Sequence, residues 1–132
     1  RIKPSLISFK AHLKKDYPKQ IIRYYYGKRW PQIHHARLRM GCSKLNGDLA
    51  NRLRVIDSAA CSCGHPTEDA SHYFLTCNLF TEQRQVLFDS INNLCQPTLD
   101  ILLYGDQSLP PARNNLIFEA VHVYLTSTER FE

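Results

Sequence analysis

The sequence predicts a small all-α domain of about six helices. Three observations lead there: apolar residues recur at helical spacing, capping and breaking residues punctuate the chain at short intervals, and no stretch sustains the period-two alternation of a strand. A chain of 132 residues fits one domain, since at this size roughly two-thirds of the unfolded surface is buried. An apolar fraction of 43% against 22% charged suffices to pack a core, which excludes disorder along the whole length. The longest apolar runs, such as Ile101-Leu102-Leu103-Tyr104, fall far short of the roughly 20 residues that cross a bilayer. There is no internal repeat. With neither an initiator Met nor a basic, apolar, small leader order, Arg1 reads as a cut inside a longer protein.

Pro4 opens a first amphipathic helix over 5–15, where Leu6, Phe9 and Leu13 share a stripe at i, i+3 and i+7. Tyr17-Pro18 ends it, and the aromatic, basic stretch from Ile21 to Arg29 reads as a linker or extended arm. Trp30-Pro31 starts a second helix reaching Met40, with Gly41 as its stop. Its inward face is expected to be Ile33 and Met40 with either Ala36 or Arg37, leaving His35 and Arg39 pointing elsewhere. Asn46-Gly47-Asp48 reads as a turn whose Asp48 N-caps a short helix carrying Leu49 and Leu53. Thr67-Glu68-Asp69 supplies a capping hydroxyl and first-turn acids for a helix through Tyr73 and Leu75. A longer helix from about Leu79 to Leu94 is expected to bury Val86, Leu87, Phe88 and Ile91. Thr98 caps a short apolar turn to Tyr104, Gly105-Asp106 breaks it, and Pro110-Pro111 sets up a last helix burying Leu116, Ile117, Ala120, Val121, Tyr124 and Leu125. The single domain thus divides into an N-terminal helix and basic aromatic arm (1–30), a helical core (31–95) and a helical cap (96–132).

Charge is segregated along the chain. Residues 1–60 hold fourteen Lys and Arg against three acids, a balance of +11, while residues 61–132 hold three against nine, a balance of −6. Such a basic half suits a polyanion, nucleic acid being the commonest, or else is a solvated helix surface. The run Tyr24-Tyr25-Tyr26-Gly27-Lys28-Arg29-Trp30 combines rings that stack on unpaired bases with cations that neutralise phosphates. The same rings could equally be a hydrophobic latch docking the arm.

Cys61, Cys63, His72 and Cys77 form Cys-x-Cys-x8-His-x4-Cys, and three thiols with one imidazole are a usual set for structural zinc. The first two come from a tight turn, with Gly64 free to take positive φ just after it. His72 then projects from the following helix. A further five residues rotate a regular helix by about 140° net, so Cys77 must sit at or beyond that helix's end. The competing readings are two exposed thiols with a capping His and a buried Cys, or a disulfide. Five cysteines are an odd number, and neighbours separated by one residue rarely pair. His65 in its Gly-His-Pro turn reads as a surface residue, Cys42 and Cys95 as small core residues, and one of the adjacent pair His34-His35 as a core or surface imidazole. No Ser-His-Asp order, phosphate loop, catalytic carboxylate pair or His-Glu-x-x-His is present. Four protein ligands would also leave a metal no open position for substrate. The chain is therefore not expected to be an enzyme by itself.

The order Ile33-His34-His35-Ala36-Arg37-Leu38-Arg39-Met40-Gly41-Cys42-Ser43-Lys44-Leu45-Asn46, then Cys61-Ser62-Cys63-Gly64, Glu68, His72-Tyr73-Phe74-Leu75-Thr76-Cys77 and Phe80, resembles the C-terminal zinc-binding region of non-LTR (LINE-type) retrotransposon reverse transcriptases. Tyr24-Tyr25-Tyr26-Gly27, Leu102-Leu103-Tyr104-Gly105 and Thr128-Glu129-Arg130-Phe131 add to that likeness, which covers nearly the whole chain. The resemblance implies a tail behind the polymerase domain of a protein that copies RNA into a nicked chromosomal target. By position it implies Zn2+ on Cys61, Cys63, His72 and Cys77, in a knuckle that helps bind template RNA or target DNA. The catalytic acids of polymerase and endonuclease are absent.

The expected function is a zinc-stabilised nucleic-acid-binding tail, with Lys28, Arg29, Arg37, Arg39, Lys44, Arg52 and Arg54 contacting phosphates. Its partners would be RNA or DNA and the other domains of the parent reverse transcriptase, with no membrane and no small-molecule substrate, in nucleus or cytoplasm. The alternative is a structural or protein-interaction module in the same polyprotein; an element without a present role is a third reading.

Overall fold

The computed structural model describes residues 22, 24 and 27–132, so the helix expected over 5–15 lies outside the described residues. The rest is all-α: α1 (Arg29–Met40), α2 (Asn46–Asn51), a π-helical turn (His72–Thr76), a 3-10 turn (Asn78–Phe80), α3 (Thr81–Ile91), α4 (Leu99–Tyr104) and α5 (Pro111–Ser127). No strand occurs among the described residues.

The 17-residue α5, about 25 Å long, is the axis of the domain. Its buried residues Asn114, Ile117, Phe118, Val121, His122, Tyr124 and Leu125 follow the i, i+3, i+4, i+7 stripe of a core helix. Helices α3 and α1 pack against it, and α4 packs on both α1 and α5. Pro111 in its first turn supplies a preset φ, as expected. Thr98 caps α4 by accepting a hydrogen bond from the Ile101 amide, and Gly105 ends it. Gly41 ends α1 in the left-handed conformation at φ 70, where a Cβ is disfavoured.

Several expected faces are corrected. Val86 and Leu116 are exposed, while Phe118, missing from the expected core, is fully buried. In α1 the expected face is inverted: Met40 and Arg37 are exposed, and His34, His35, Leu38 and Arg39 are buried. Polar groups tolerate burial only with partners; His35 and Arg39 have them, whereas His34 Nδ1 has none among the described residues. His35 bonds the Leu102 carbonyl through Nε2 (2.8 Å) and receives Arg39 Nη2 at Nδ1 (3.0 Å). Arg39 also donates from Nε to the Leu103 carbonyl, and its guanidinium lies 4.9 Å from the Tyr24 ring and 5.2 Å from the Phe118 ring. Burial pushes the Tyr24 hydroxyl up to about 12. Tyr24 against Phe118 and Trp30 against His34 are thus docked as a latch; Tyr25 and Tyr26 lie outside the described residues.

Asp48 does not cap α2 either. Leu45 holds the N-cap position, and Asp48 instead accepts from the Ser43 amide (3.0 Å) and hydroxyl (2.6 Å), tying the loop before the helix.

Candidate metal centre

The loop from Ala59 to Asp69 turns sharply at Cys61 to Gly64, where the Gly64 amide donates to the Cys61 carbonyl at 2.9 Å and Gly64 takes φ 102 as expected. This places Cys61 and Cys63 on one side of a turn. The chain then enters the π-helical turn at His72. There the Cys77 amide donates to the His72 carbonyl at 2.8 Å, the wide i→i+5 closure that defines π geometry. Widening the turn brings residues five apart close to one face, which a regular α-helix would not do. Cys77 itself is extended (φ −66, ψ 123) and ends the turn. Arg84 of α3 holds the turn's end by donating to the Phe74 carbonyl (3.1 Å) and the Cys77 carbonyl.

The three sulfurs and the His72 imidazole nitrogen all lie within 4.8 Å of one another. Cys61 and Cys77 are 3.7 Å apart at Sγ, and Cys63 Sγ is 3.2 Å from His72 Nε2. Cys61, His72 and Cys77 are buried and Cys63 half-buried. The four residues are placed to bind one metal ion. His72 Nδ1 hydrogen-bonds the Thr76 hydroxyl at 2.8 Å, which leaves Nε2 as the ligand atom, the arrangement that orients metal-bound histidines. Thr76 lies four residues on, a spacing readable in the sequence.

Electrostatics divide the thiols. Burial pushes the Cys61 thiol up to about 12, while the backbone amide of His65 lowers that of Cys63. Burial, helped by nearby His65, keeps His72 neutral below its ordinary range. A metal takes up neutral imidazole and deprotonated thiols, so its binding at this cluster would release protons. His65 is exposed, and its ring stacks on His72 at 4.0 Å. Cys42 and Cys95 are half-buried and remain outside the cluster. His34 and His35 are core imidazoles.

Glu68, expected in a helix's first turn, is instead 3% exposed and paired with Arg130 at 2.5 Å. Burial raises its carboxyl, but Arg130 and the Asn46 amide outweigh that and hold it low. No local pattern marks this pair, whose members stand 62 residues apart.

The expected phosphate contacts fall into two groups. Lys28 and Arg29 are exposed at the start of α1; Arg37 is exposed in its last turn and half-exposed Arg52 lies beside Gly41 at its end, while Lys44 and Arg54 are exposed in the segments that follow. The 12 residues of α1 separate the groups by about 18 Å. None of the six pairs with an acidic side chain among the described residues. Arg39 is corrected: its guanidinium is engaged in the core. Comparison with protein-family models, curated proteins and solved structures finds no match.

Proposed function

We propose that the chain is a non-catalytic nucleic-acid-binding module whose fold is held by one zinc ion on Cys61, Cys63, His72 and Cys77. A tetrahedron with Zn–S of about 2.3 Å sets sulfurs about 3.8 Å apart, and the 3.7 Å between Cys61 and Cys77 supports that choice of metal. Three thiolates also favour zinc over oxygen-seeking ions. The ion's role is structural, because four protein donors fill the tetrahedron.

The observation that carries the nucleic-acid reading is the set of cations, exposed except for half-exposed Arg52 and without acidic partners among the described residues, at and beyond the two ends of α1. Their separation of about 18 Å matches about five steps of one strand's 3.4 Å rise. Together with the motif likeness, this supports a tail that holds template RNA or target DNA beside a polymerase. Replacing Arg37, Lys44, Arg52 and Arg54 by Glu should abolish retention of RNA and DNA, and the wild type's log K should fall against log[salt] at about −0.9 per duplex phosphate contacted. A salt-independent affinity, or retention unchanged in the variant, would refute this.

A second reading, a protein-interaction module, is favoured by one observation. Leu116 and Val123 of α5 are about half exposed and line a groove of about 360 Å3 with Ala120 and Leu94. Under that reading the same charge reversal leaves nucleic-acid retention intact and breaks a protein complex.

A further inference from the structure

We propose that Glu68 is a positioning residue that makes occupancy of the metal site and closure of two segments carrying no ligand, the start of α2 and residues 128–131, one coupled event. The inference rests on the metal reading of the Cys61, Cys63, His72 and Cys77 cluster.

Glu68 lies in the loop between two ligands, Cys63 and His72, and its Oε2 is 3.8 Å from Cys61 Sγ. Its amide donates to the Ala59 carbonyl within the ligand loop (2.7 Å), and its remaining contacts reach away from the site. Oε1 accepts from the Asn46 amide (2.7 Å) and from Arg130 Nη2 (2.5 Å), and Oε2 accepts from Arg130 Nε (2.8 Å). The Glu68 carbonyl accepts from the Gly47 amide at 2.8 Å, and Asn46 Nδ2 donates to the Ala60 carbonyl at 2.8 Å. The start of α2 is thereby stapled to the ligand loop by its backbone, and Arg130 is held by a two-pronged ion pair, the strongest type available to a carboxylate.

Arg130 brings the end of the chain with it. Its Nη2 also reaches the Lys44 carbonyl at 3.2 Å. Thr128 bonds the Tyr73 hydroxyl at 2.7 Å, and the Phe131 ring stacks on His34 at 5.1 Å and packs on Tyr73 at 5.4 Å. Tyr73 is the residue after ligand His72, so this segment is attached to the centre twice.

Charge supplies the coupling. A divalent ion with three thiolates carries one net negative charge, and Glu68 adds another in a buried setting, where an uncompensated charge is costly. The Arg130 guanidinium is the counter-charge against Glu68, beside Cys61. An ordered ligand loop fixes Glu68, Glu68 fixes Arg130 and Asn46, and by linkage each of those contacts strengthens metal retention. Lys44, one of the exposed cations, is set by the same clamp.

The test uses the 132-residue chain with zinc alone as ligand. Affinity is read by chelator competition, and amide hydrogen exchange is followed at Asn46 and Gly47 with and without zinc. In the wild type, zinc should slow exchange at both amides. Glu68→Gln and Arg130→Gln should each weaken zinc roughly tenfold or more, the range for outer-shell partners, and the double variant should lose little beyond the worse single. Arg130→Lys keeps the charge without the fork, and should fall between Arg130→Gln and wild type; it serves alone if Arg130→Gln does not fold. Cobalt-thiolate absorption should be retained in all of them, because the ligands are unchanged. Zinc affinities within twofold of wild type, or exchange at Asn46 indifferent to zinc, would overturn the coupling while leaving the metal site standing. A wild type that takes up no zinc removes both.

Discussion

Gly47→Ala separates the observed packing from what a helix start alone would dictate. In the first turn of a short helix, alanine should be better than glycine by about 1 kcal/mol. Here a Cβ on residue 47 would lie 2.6 Å from the Glu68 carbonyl oxygen and 3.1 Å from its carbon. Both belong to backbone that cannot swing aside, and α2 would have to retreat. Retreat stretches the Gly47 and Asn46 amide bonds to Glu68, each worth about 1 kcal/mol, and adds an overpacking cost of about 1–3 kcal/mol. After the alanine gain, the net loss is about 2–4 kcal/mol. In a domain of this size it should lower the melting temperature by roughly 6–20 °C, measured by circular dichroism in zinc-containing buffer. A variant that melts at or above the wild-type temperature would show that α2 is not pressed against the ligand loop, and the clamp on Glu68 would lose its geometry.

Arg39→Ala should cost about 2–4 kcal/mol in urea unfolding, by orphaning the Leu103 carbonyl and the Arg39 cavity, yet leave the salt slope of nucleic-acid binding unchanged; a slope lowered by about one would put Arg39 on the phosphates. His35 Nδ1 stands 3.2 Å from His122 Nε2, and burial with Arg39 close by lowers His122 to about 4 while Glu119 opposes the fall weakly. Its folded value lies below the unfolded one of about 6.5, so the stabilisation is complete above that pH and is lost as pH falls from 6.5 to 4. Linkage puts the loss at about 2–3 kcal/mol. Metal release can add to the acid slope, so the discriminating measurement compares wild type with His122→Gln, whose stability should fall less over that interval; parallel curves would contradict the assignment. Tyr124→Phe removes the hydroxyl that donates to the Tyr73 carbonyl and should cost about 1–2 kcal/mol in the same unfolding assay, with no change meaning that bond contributes nothing.

The elements legible from sequence were those specified by neighbours in the chain. Thr98 capping α4, Gly41 stopping α1, Pro111 opening α5 and Cys77 lying past the end of its turn all follow from rules that span a few residues. The cluster of Cys61, Cys63, His72 and Cys77 that could hold a metal was legible for the same reason, since its spacing lies within one loop and turn. What escaped was burial decided by distant partners. Periodicity placed Met40 inside α1 and His35 outside, because it scores hydrophobicity and cannot see that the Leu102 and Leu103 carbonyls of α4, more than 60 residues on, await donors. From its neighbours alone Glu68 reads as a dipole-favoured acid, because its partner Arg130 stands 62 residues away. Phe118 sits on the α5 stripe, but its burial is fixed by Tyr24 and His35 packing on it from other segments, which no local pattern announces. The π-turn had no sequence signal of its own; its closure from the Cys77 amide to the His72 carbonyl brings residues 72 and 77 toward one face.

X-ray absorption on protein purified without added metal, with elemental analysis of the same sample, reads the central claim directly. The account predicts one zinc per chain, in a shell of three sulfurs at about 2.3 Å and one nitrogen at about 2.0 Å, lost on Cys61→Ser and Cys77→Ser. A chain that carries no stoichiometric metal while folded, or whose bound metal survives both substitutions, would contradict it.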